Sequence, residues 1–550
     1  MENDDLIEKV SASSRGRGAA PVQTTNQITG DRRWIALAAV MLVMFFSSLD
    51  QTVVATALPV IIGDLKGFEL YAWVITAYMM ASAVTVPIYG KLSDIYGRKP
   101  FYVLGLGLFM IGSIFAGMVQ NMPELIAARI VQGLGAGALL TMPRATVGDI
   151  FNPRERGRWM GVISSIFGIA SIIGPALGGW ITDQWSWRWI FYINLPVAAI
   201  ALAGIVLTLP TVRTEKTPKV DWQGSSLLVL GLIPLLLAFT WAGSTYPWSS
   251  PVIIGLFVAS ALFLVLFVLA ERRAEEPVLS PELFKNPLFT MTALVALFVS
   301  MGMFGGIAFL PLFIQGAQGL SAQSSGQILT PMMLSFIFGS VIGGQLVTRT
   351  GRYKVQIIVA SLIGALGMYL LTRLTMNTPS LVIVGDMIVL GVGIGSVMPV
   401  LVVVVANAFP YRLMGMVDST QQFVRSLGGI IALPVLGTVL NNTFAAEFNR
   451  SMPAALKQAL SKLPASQKAA LLNPQGLISA GSQAAIRSEF TQLGQRGMAL
   501  YGQFIDVLRS SLSAGVTHLF TLGLAFMLLG VVAALFLPEI RLQLDEFFKS

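Results

Sequence analysis

The sequence predicts an all-α polytopic membrane protein: two six-helix bundles with two further transmembrane helices inserted between them, fourteen spans in all. Three observations lead there. Of the 550 residues, 55% are hydrophobic and 11% charged, whereas a soluble protein carries about 25% charged residues. The apolar residues fall into runs of about 18 to 25, the length that crosses a bilayer as a helix. The third observation is an internal repeat, with halves offset by 254 to 259 residues. The 54 glycines and 27 prolines suit this class, because glycine lets membrane helices approach closely and backbone groups freed by proline find partners on neighbours. Barrel strands would alternate apolar and polar residues, and these runs do not.

In chain order the runs place spans near 34–62, 71–90, 101–120, 124–148, 159–182, 188–209, 222–242, 249–270, 288–315, 325–348, 355–374, 379–408, 416–442 and 515–537. Residues 1–33 are polar and read as a disordered cytoplasmic tail without a cleaved signal peptide. Residues 34–209 form the first bundle and 210–275 the inserted pair. Residues 276–442 and 515–538 form the second bundle, 443–514 an extracytoplasmic helical loop and 539–550 a cytoplasmic tail. With both termini cytoplasmic, 24 of the 36 Lys and Arg fall inside and only 3 in short outer loops, which is the bias that orients such proteins. The expected location is the cytoplasmic (inner) membrane of a bacterium.

The repeat is legible residue by residue. GKLSDIYGRKP (90–100) aligns with GQLVTRTGRYK (344–354), pairing Gly97 with Gly351 and Arg98 with Arg352. Gly133, Gly135 and Gly137 match Gly391, Gly393 and Gly395; Pro175 and Gly178 match Pro434 and Gly437. Equivalent elements keep their order and sidedness, so the halves are parallel repeats about an axis along the membrane normal.

Composition also removes function classes. There is no cysteine and a single His518, hence no thiolate or histidine metal cluster and no metal site expected. A net charge of +9 could suggest nucleic acid, but the basic residues are scattered between spans rather than clustered on one face, and no nucleic-acid partner is expected. No GxxxxGK[ST] phosphate loop is present, which disfavours an ATP-driven pump.

Four blocks resemble the major facilitator superfamily, in particular its fourteen-span branch of drug:proton antiporters. SLDQTVVATALP (48–59) is similar to the first-span signature of that branch and GKLSDIYGRKP to the superfamily's loop motif. RIVQGLGAG (129–137) is similar to the fourth-span motif and GIASIIGPALGG (168–179) to the fifth-span antiporter motif. The second half departs from the pattern: Thr348 stands where the loop motif has aspartate, and Leu433-Pro434 replaces the glycine-proline pair. The resemblance implies the major facilitator fold and a proton-coupled exporter of amphipathic, cationic drugs, driven by the proton gradient without a cofactor and working as a monomer among membrane lipids. It is not expected to be an enzyme.

The residues carry the same reading further. Asp50 lies about 25 Å along its helix from Arg33, and an acid that deep in a membrane is costly and normally handles protons or cations; the alternative is a structural acid bonded to its neighbours. Arg129 must be paired or hydrated, and the resemblance implies that it tunes the protonation of Asp50. Gln132 lies one turn away on the same face. In the loop motif, Gly90 and Gly97 permit close backbone approach, Arg98 and Lys99 sit at the membrane surface, and Asp94 is read as a latch on the inner gate. Gly168, Gly174, Pro175, Gly178 and Gly179 form a small-residue strip for tight packing, bent by the proline. Asp418, Gln421, Gln422 and Arg425 recur at i, i+3, i+4 and i+7 as one polar helix face, lining a substrate cavity or pairing internally. Asp386 is a second candidate acid. An exporter of lipid or another endogenous metabolite stays open as an alternative. A non-transporting receptor or scaffold is disfavoured because it has no need of Asp50.

Overall fold

The computed structural model describes residues 31–151, 153–210, 221–243, 245–274, 281–409, 414–454 and 495–539, with a few positions between 456 and 491. The side chains of some helical residues, Asp94 and Asp418 among them, lie outside the described residues, as do most of the predicted 443–514 loop and the two tails. Fourteen long helices carry the described chain: α1 (Asp31–Leu65), α2 (Tyr71–Tyr96), α3 (Arg98–Met118), α4 (Met122–Ile150), α5 (Pro153–Gln184), α6 (Asn194–Thr208), α7 (Trp222–Trp241), α8 (Pro251–Glu271), α9 (Pro287–Leu312), α10 (Ala322–Thr350), α11 (Tyr353–Leu371), α12 (Ser380–Ala408), α13 (Met414–Ser451) and α14 (Gln495–Leu535). Among the described residues, thirteen helices are long and apolar enough to cross a membrane. The fourteenth, α5, is a 32-residue helix in the place of the predicted fifth span, with Arg154, Glu155, Arg156 and Arg158 in its first turns.

Local chemistry sets the helix starts. Asn121 caps α4 by accepting the Glu124 N–H (3.0 Å) while Glu124 accepts the Gln120 N–H (2.8 Å), a reciprocal pair that satisfies two orphan donors. Ser250, Asn286 and Ser321 cap α8, α9 and α10 in the same manner. The last two helices overrun their predicted span ends, reaching 38 and 41 residues, about 57 and 61 Å at 1.5 Å per residue. Glu447, Arg450, Asp506 and Arg509 end the apolar run but not the helix, because α13 and α14 pack on each other through Phe444, Phe448 and Phe504.

The first and last described turns share a side with the two loop motifs. Arg33, at the start of α1, lies 4.1 Å over the Phe151 ring beyond α4, and the Tyr353 hydroxyl donates to the Pro538 carbonyl beyond α14. The opposite end is the far end, predicted to be external.

The repeat reappears in the packing. A β-carbon on Gly133 would run into the Tyr78 carbonyl, and one on Gly391 into the Met332 carbonyl, 254 residues on. Gly137 meets the Ser82 carbonyl and Gly395 that of Phe336, again 254 apart. Gly112 lies against the backbone of Gln132 and Gly367 against that of Leu390, while Gly97 and Gly351 both adopt positive φ (+85° and +65°) at the loop motifs. Bare Cα surfaces thus let α4 sit on α2 and α3 as α12 sits on α10 and α11.

The halves meet along two seams equated by the repeat: α5 on α10, and α13 on α2. In the first, Gly326 abuts the Pro175 carbonyl and Gly179 the Ala322 carbonyl; in the second, Gly437 faces Ala72. The inserted pair α7–α8 packs on itself, and α7 covers the second seam by touching both α2 and α13. Gly135→Leu should lower the melting temperature in detergent, costing roughly 1–3 kcal/mol as an overpacked contact, because its β-carbon would strike the Gly105 carbonyl. Gly107→Leu on α3, where a β-carbon meets nothing within 4 Å, should leave the melting temperature in place.

Candidate functional site

Five of the first six helices converge on one buried carboxylate. Asp50 on α1 is 1% exposed, and each oxygen is occupied. Oδ2 accepts from Arg129 Nη1 of α4 at 2.7 Å; Oδ1 accepts from Gln132 Nε2 of α4 and Asn194 Nδ2 of α6, both at 2.9 Å. Gln132 also donates to Ser113 Oγ on α3 (2.9 Å) and accepts from Arg129 Nη1 (2.5 Å). Arg129 lies 4.1 Å over the ring of Tyr78 on α2 and donates from Nε to the Val74 carbonyl (3.4 Å). Removing these charges from water is expensive, and the geometry repays it with charge-assisted bonds on both partners. The arrangement holds one carboxylate charge among donors from three side chains. With Arg129 and Asp50 both 1% exposed, neither meets solvent in this conformation.

Sequence reasoning singled out Asp50, Arg129 and Gln132, and the structure brings all three into contact. It missed Asn194, Tyr78 and Ser113. Asn194 opens α6 after a short helical turn (Trp189–Tyr192), and that segment is clamped. Trp187 Nε1 and Arg188 Nη1 both donate to Asp64 Oδ2 at the end of α1 (2.9 and 3.0 Å), while Arg188 Nη2 donates to the Val119 carbonyl (3.1 Å). The signal available was an amide beginning an otherwise apolar helix.

The second half supplies a comparison. At the positions equated by the repeat, Tyr78 becomes Met332, Arg129 becomes Met387 and Gln132 becomes Leu390, all at most 1% exposed. The same helix crossing is therefore built there without charges at these positions, with Ser340 Oγ donating to the Gly395 carbonyl (3.0 Å) and Ser396 Oγ to the Gly339 carbonyl (3.1 Å).

At the loop motif, Gly97 is required by its φ of +85°. Gly90 differs from expectation: among the described residues, a β-carbon there would meet nothing within 4 Å. Arg98 binds Asp149 Oδ2 through Nε (2.9 Å) and Ser93 Oγ through Nη1 (2.6 Å), and Lys99 reaches the Val206 carbonyl (2.7 Å). Asp149, at the end of α4, was not anticipated. Asp94 falls in the last turns of α2, its side chain outside the described residues.

The α5 strip divides its contacts. Gly174 and Gly178 press on Thr52 and Thr56 of α1, whereas Gly168 meets Ile337 and Gly179 meets Ala322, both of α10. Pro175 does not interrupt the helix. On α13, Arg425 Nη2 donates to Gln422 Oε1 (2.5 Å) and Gln421 is buried; Asp418 has its side chain outside the described residues. Asp386 sits seven residues into the sequence of α12, 9% exposed and away from the Asp50 cluster.

Among the described residues, the hydrogen bonds that cross between the halves include three on the far side of the bundle. Tyr71 OH donates to the Ala308 carbonyl (2.5 Å), Gln315 Nε2 to the Thr56 carbonyl (2.9 Å) and the Gln323 N–H to Asp183 Oδ2 (2.7 Å). The last places a carboxylate of α5 on the first turn of α10, where the helix dipole favours it.

Similarity to known proteins agrees with this architecture. The Major Facilitator Superfamily profile matches residues 40–433. The chain is 40% identical over 514 residues to the multidrug transporter protein MdtP of Bacillus subtilis, covering 93% of this chain and 94% of that protein. It is 36% identical to multidrug resistance protein 3 of the same organism, covering 95% and 98%. The efflux pump FUS6 of Gibberella fujikuroi is 30% identical, with 94% and 91% covered. Among solved structures, a bacterial homolog of the human lysosomal transporter Spinster superposes with a TM-score of 0.60 at 16% identity, covering 92% of this chain and 98% of that one. With a family profile across most of its length and full-length relatives above 30% identity, the chain is a membrane-spanning transporter of the Major Facilitator Superfamily.

Proposed function

We propose that this transporter exports amphipathic, cationic drugs by proton-coupled antiport, seated in the cytoplasmic membrane with both chain ends in the cytoplasm. The drug-efflux part is supported by relatives named as multidrug transporters and an efflux pump. Proton coupling is carried by one observation: the buried Asp50–Arg129 pair stands where the second half packs equally tightly with Met387 and its neighbours. Replacing a buried ion pair by apolar residues is commonly neutral or stabilising, so packing gives no reason to keep the charges. What charges offer that methionine does not is a titratable group, and exchange of a proton for a cationic cargo uses that property. The far side is closed by the bonds of Tyr71, Gln315 and Asp183 and by the glycine seams. Alternating access would open it as the halves rock, with the Gly97 turn, Asp94, Arg98 and Lys99 acting at the other gate.

The decisive experiment is efflux from proteoliposomes with an imposed pH gradient, using cationic dyes and a lipid in parallel. Asp50→Asn keeps the shape but cannot exchange a proton; gradient-driven dye efflux should fall to background in protein that still elutes as a single folded species. Efflux at the original rate would refute the proposal, and gradient-driven movement of lipid alone would favour the lipid-exporter alternative.

The internal comparison makes a second prediction. Arg129→Met alone strands a buried carboxylate and should cost about 3–5 kcal/mol. The double change Asp50→Leu with Arg129→Met, which makes the pair apolar and puts at position 129 the residue type of Met387, should recover most of that stability while remaining inactive. Thermal unfolding of the two variants in detergent measures it, and a double variant no more stable than the single one would mean that the pair is structural.

A further inference from the structure

The two oxygens of Asp50 are not equivalent. Oδ1 accepts two amide N–H bonds, from Gln132 and Asn194, which fill its two acceptor positions. Oδ2 accepts the Arg129 bond at 2.7 Å. Both amides are themselves buried, Gln132 at 0% and Asn194 at 2% exposure, so a displaced amide N–H would find no water. Gln132 shares a helix with Arg129 and moves with it. Asn194 comes from a different helix, held by the Trp187–Arg188–Asp64 clamp.

We propose that Asn194 is a positioning residue that reserves Oδ1 as an acceptor and so directs an incoming proton to Oδ2. The proposal rests on the reading of Asp50 as the proton site and names what gives that proton its mechanical effect. When the proton arrives, the O–H bond forms at the second acceptor position of Oδ2, and the Arg129 Nη1–H···Oδ2 bond weakens, because the hydroxyl oxygen of a neutral acid is a far poorer acceptor than a carboxylate oxygen. The guanidinium keeps its charge and proton, and the carboxyl becomes neutral. Arg129 already holds other partners, Gln132 Oε1 at 2.5 Å, the Val74 carbonyl at 3.4 Å and the Tyr78 ring at 4.1 Å, so its charge is not left bare. The new Oδ2–H donor has acceptor capacity nearby, because the hydroxyl of Ser47, one turn earlier on α1, is buried beside the Tyr78 phenol and can accept as well as donate. Protonation then loosens the hold of Arg129 on α1 while leaving the Oδ1 bonds from Gln132 of α4 and Asn194 of α6 intact. Were the proton to land on Oδ1 instead, it would displace an amide bond, and Arg129 would keep a charge-assisted hydrogen bond to Oδ2, then the carbonyl oxygen of a neutral acid.

The charged and titratable groups facing Asp50 are few. Arg129 on α4 and the phenol of Tyr78 on α2 are the near ones. α6 and α9 contain no ionisable residue. α5 carries its charges only at its ends, Arg154 to Arg158 and Asp183, and α10 has only Arg349, in its last turn. Arg98 and Lys99 open α3, and Lys91 and Asp94 lie near the end of α2.

The test is infrared difference spectroscopy of the full chain in liposomes, acid minus neutral, together with the pH profile of proton-driven dye efflux. A protonated-carboxyl C=O band should appear and be absent in Asp50→Asn. In Asn194→Leu, which lacks the donor, that band should move to higher wavenumber because the Oδ1 carbonyl loses one of its two hydrogen bonds. The efflux profile should shift toward higher pH by about one unit, the order of magnitude for losing one hydrogen bond to a charged group. Asn194→Ala, also without a donor, is read in the same way should the leucine variant not insert. A band that belongs to Asp50 but stays fixed in both Asn194 variants overturns this proposal and leaves Asp50 as the proton site. A carboxyl band that persists unchanged in Asp50→Asn overturns the underlying proton reading instead.

Discussion

A carboxylate and a guanidinium 2.7 Å apart inside a bundle of apolar helices set the terms for the whole first half. Neither charge is tolerable there without full compensation, and no single helix can supply it. α2 contributes a carbonyl and an aromatic face, α3 a hydroxyl, α4 the arginine and an amide, α6 a second amide. Donors and acceptors at 2.5 to 2.9 Å demand helix axes closer than leucine-lined surfaces permit. The glycines meet that demand: Gly112 lets α3 touch the backbone of Gln132, and Gly133 lets α4 touch the carbonyl of Tyr78. Electrostatics and backbone sterics are therefore one constraint here, since loosening the glycine contacts would leave the ion pair short of partners.

The second half obeys the steric part of that constraint without the electrostatic part. Gly391, Gly393 and Gly395 keep the same close crossings, while Met332, Met387 and Leu390 fill the interior. A six-helix unit of this shape evidently needs the glycines and not the charges. This asymmetry puts the buried ion pair in one unit, where the other has Met387 at the position equated with Arg129. The seams are asymmetric too. Gly179 and Gly326 bring α5 and α10 into backbone contact, whereas the α13–α2 seam has Ala72 and Gly437 and carries α7 along its outside. The bonds between the halves come from helix ends and side chains on the far side, Asp183 on the α10 terminus and Gln315 on the Thr56 carbonyl. Such contacts cost far less to break than the buried network inside the first half, which suits a rigid-body motion of the halves.

The protrusion of α13 and α14 shows the limit of reading spans from hydropathy. Hydropathy ends a span where charges begin, but a helix continues as long as its backbone bonds do. Phe444 and Phe448 on one helix and Phe504 on the other give these turns an apolar face of their own, and Phe444 also lies 6.2 Å from Phe68 at the α1–α2 turn. The periodicity of those aromatics was present in the sequence but interleaved with Glu447, Arg450 and Asp506, so it did not register as an apolar run.

The sequence by itself determined the class of protein, the number and order of the helices and the existence of two equivalent halves, because these follow from one-dimensional quantities: the length of apolar runs, and the recurrence of glycine and proline at fixed offsets. It also marked Asp50, Arg129 and Gln132, because a polar residue in an apolar run stands out without any knowledge of neighbours. It could not rank Asn194 above other amides or Ser113 above other serines, nor pair Arg98 with Asp149, 51 residues away. Gly90 and Gly97 looked alike as letters, yet only Gly97 is held at a conformation that needs glycine. Those distinctions belong to the tertiary structure, because hydrogen bonds act over about 3 Å, and which groups come within that distance depends on how six helices are rotated and spaced about one another.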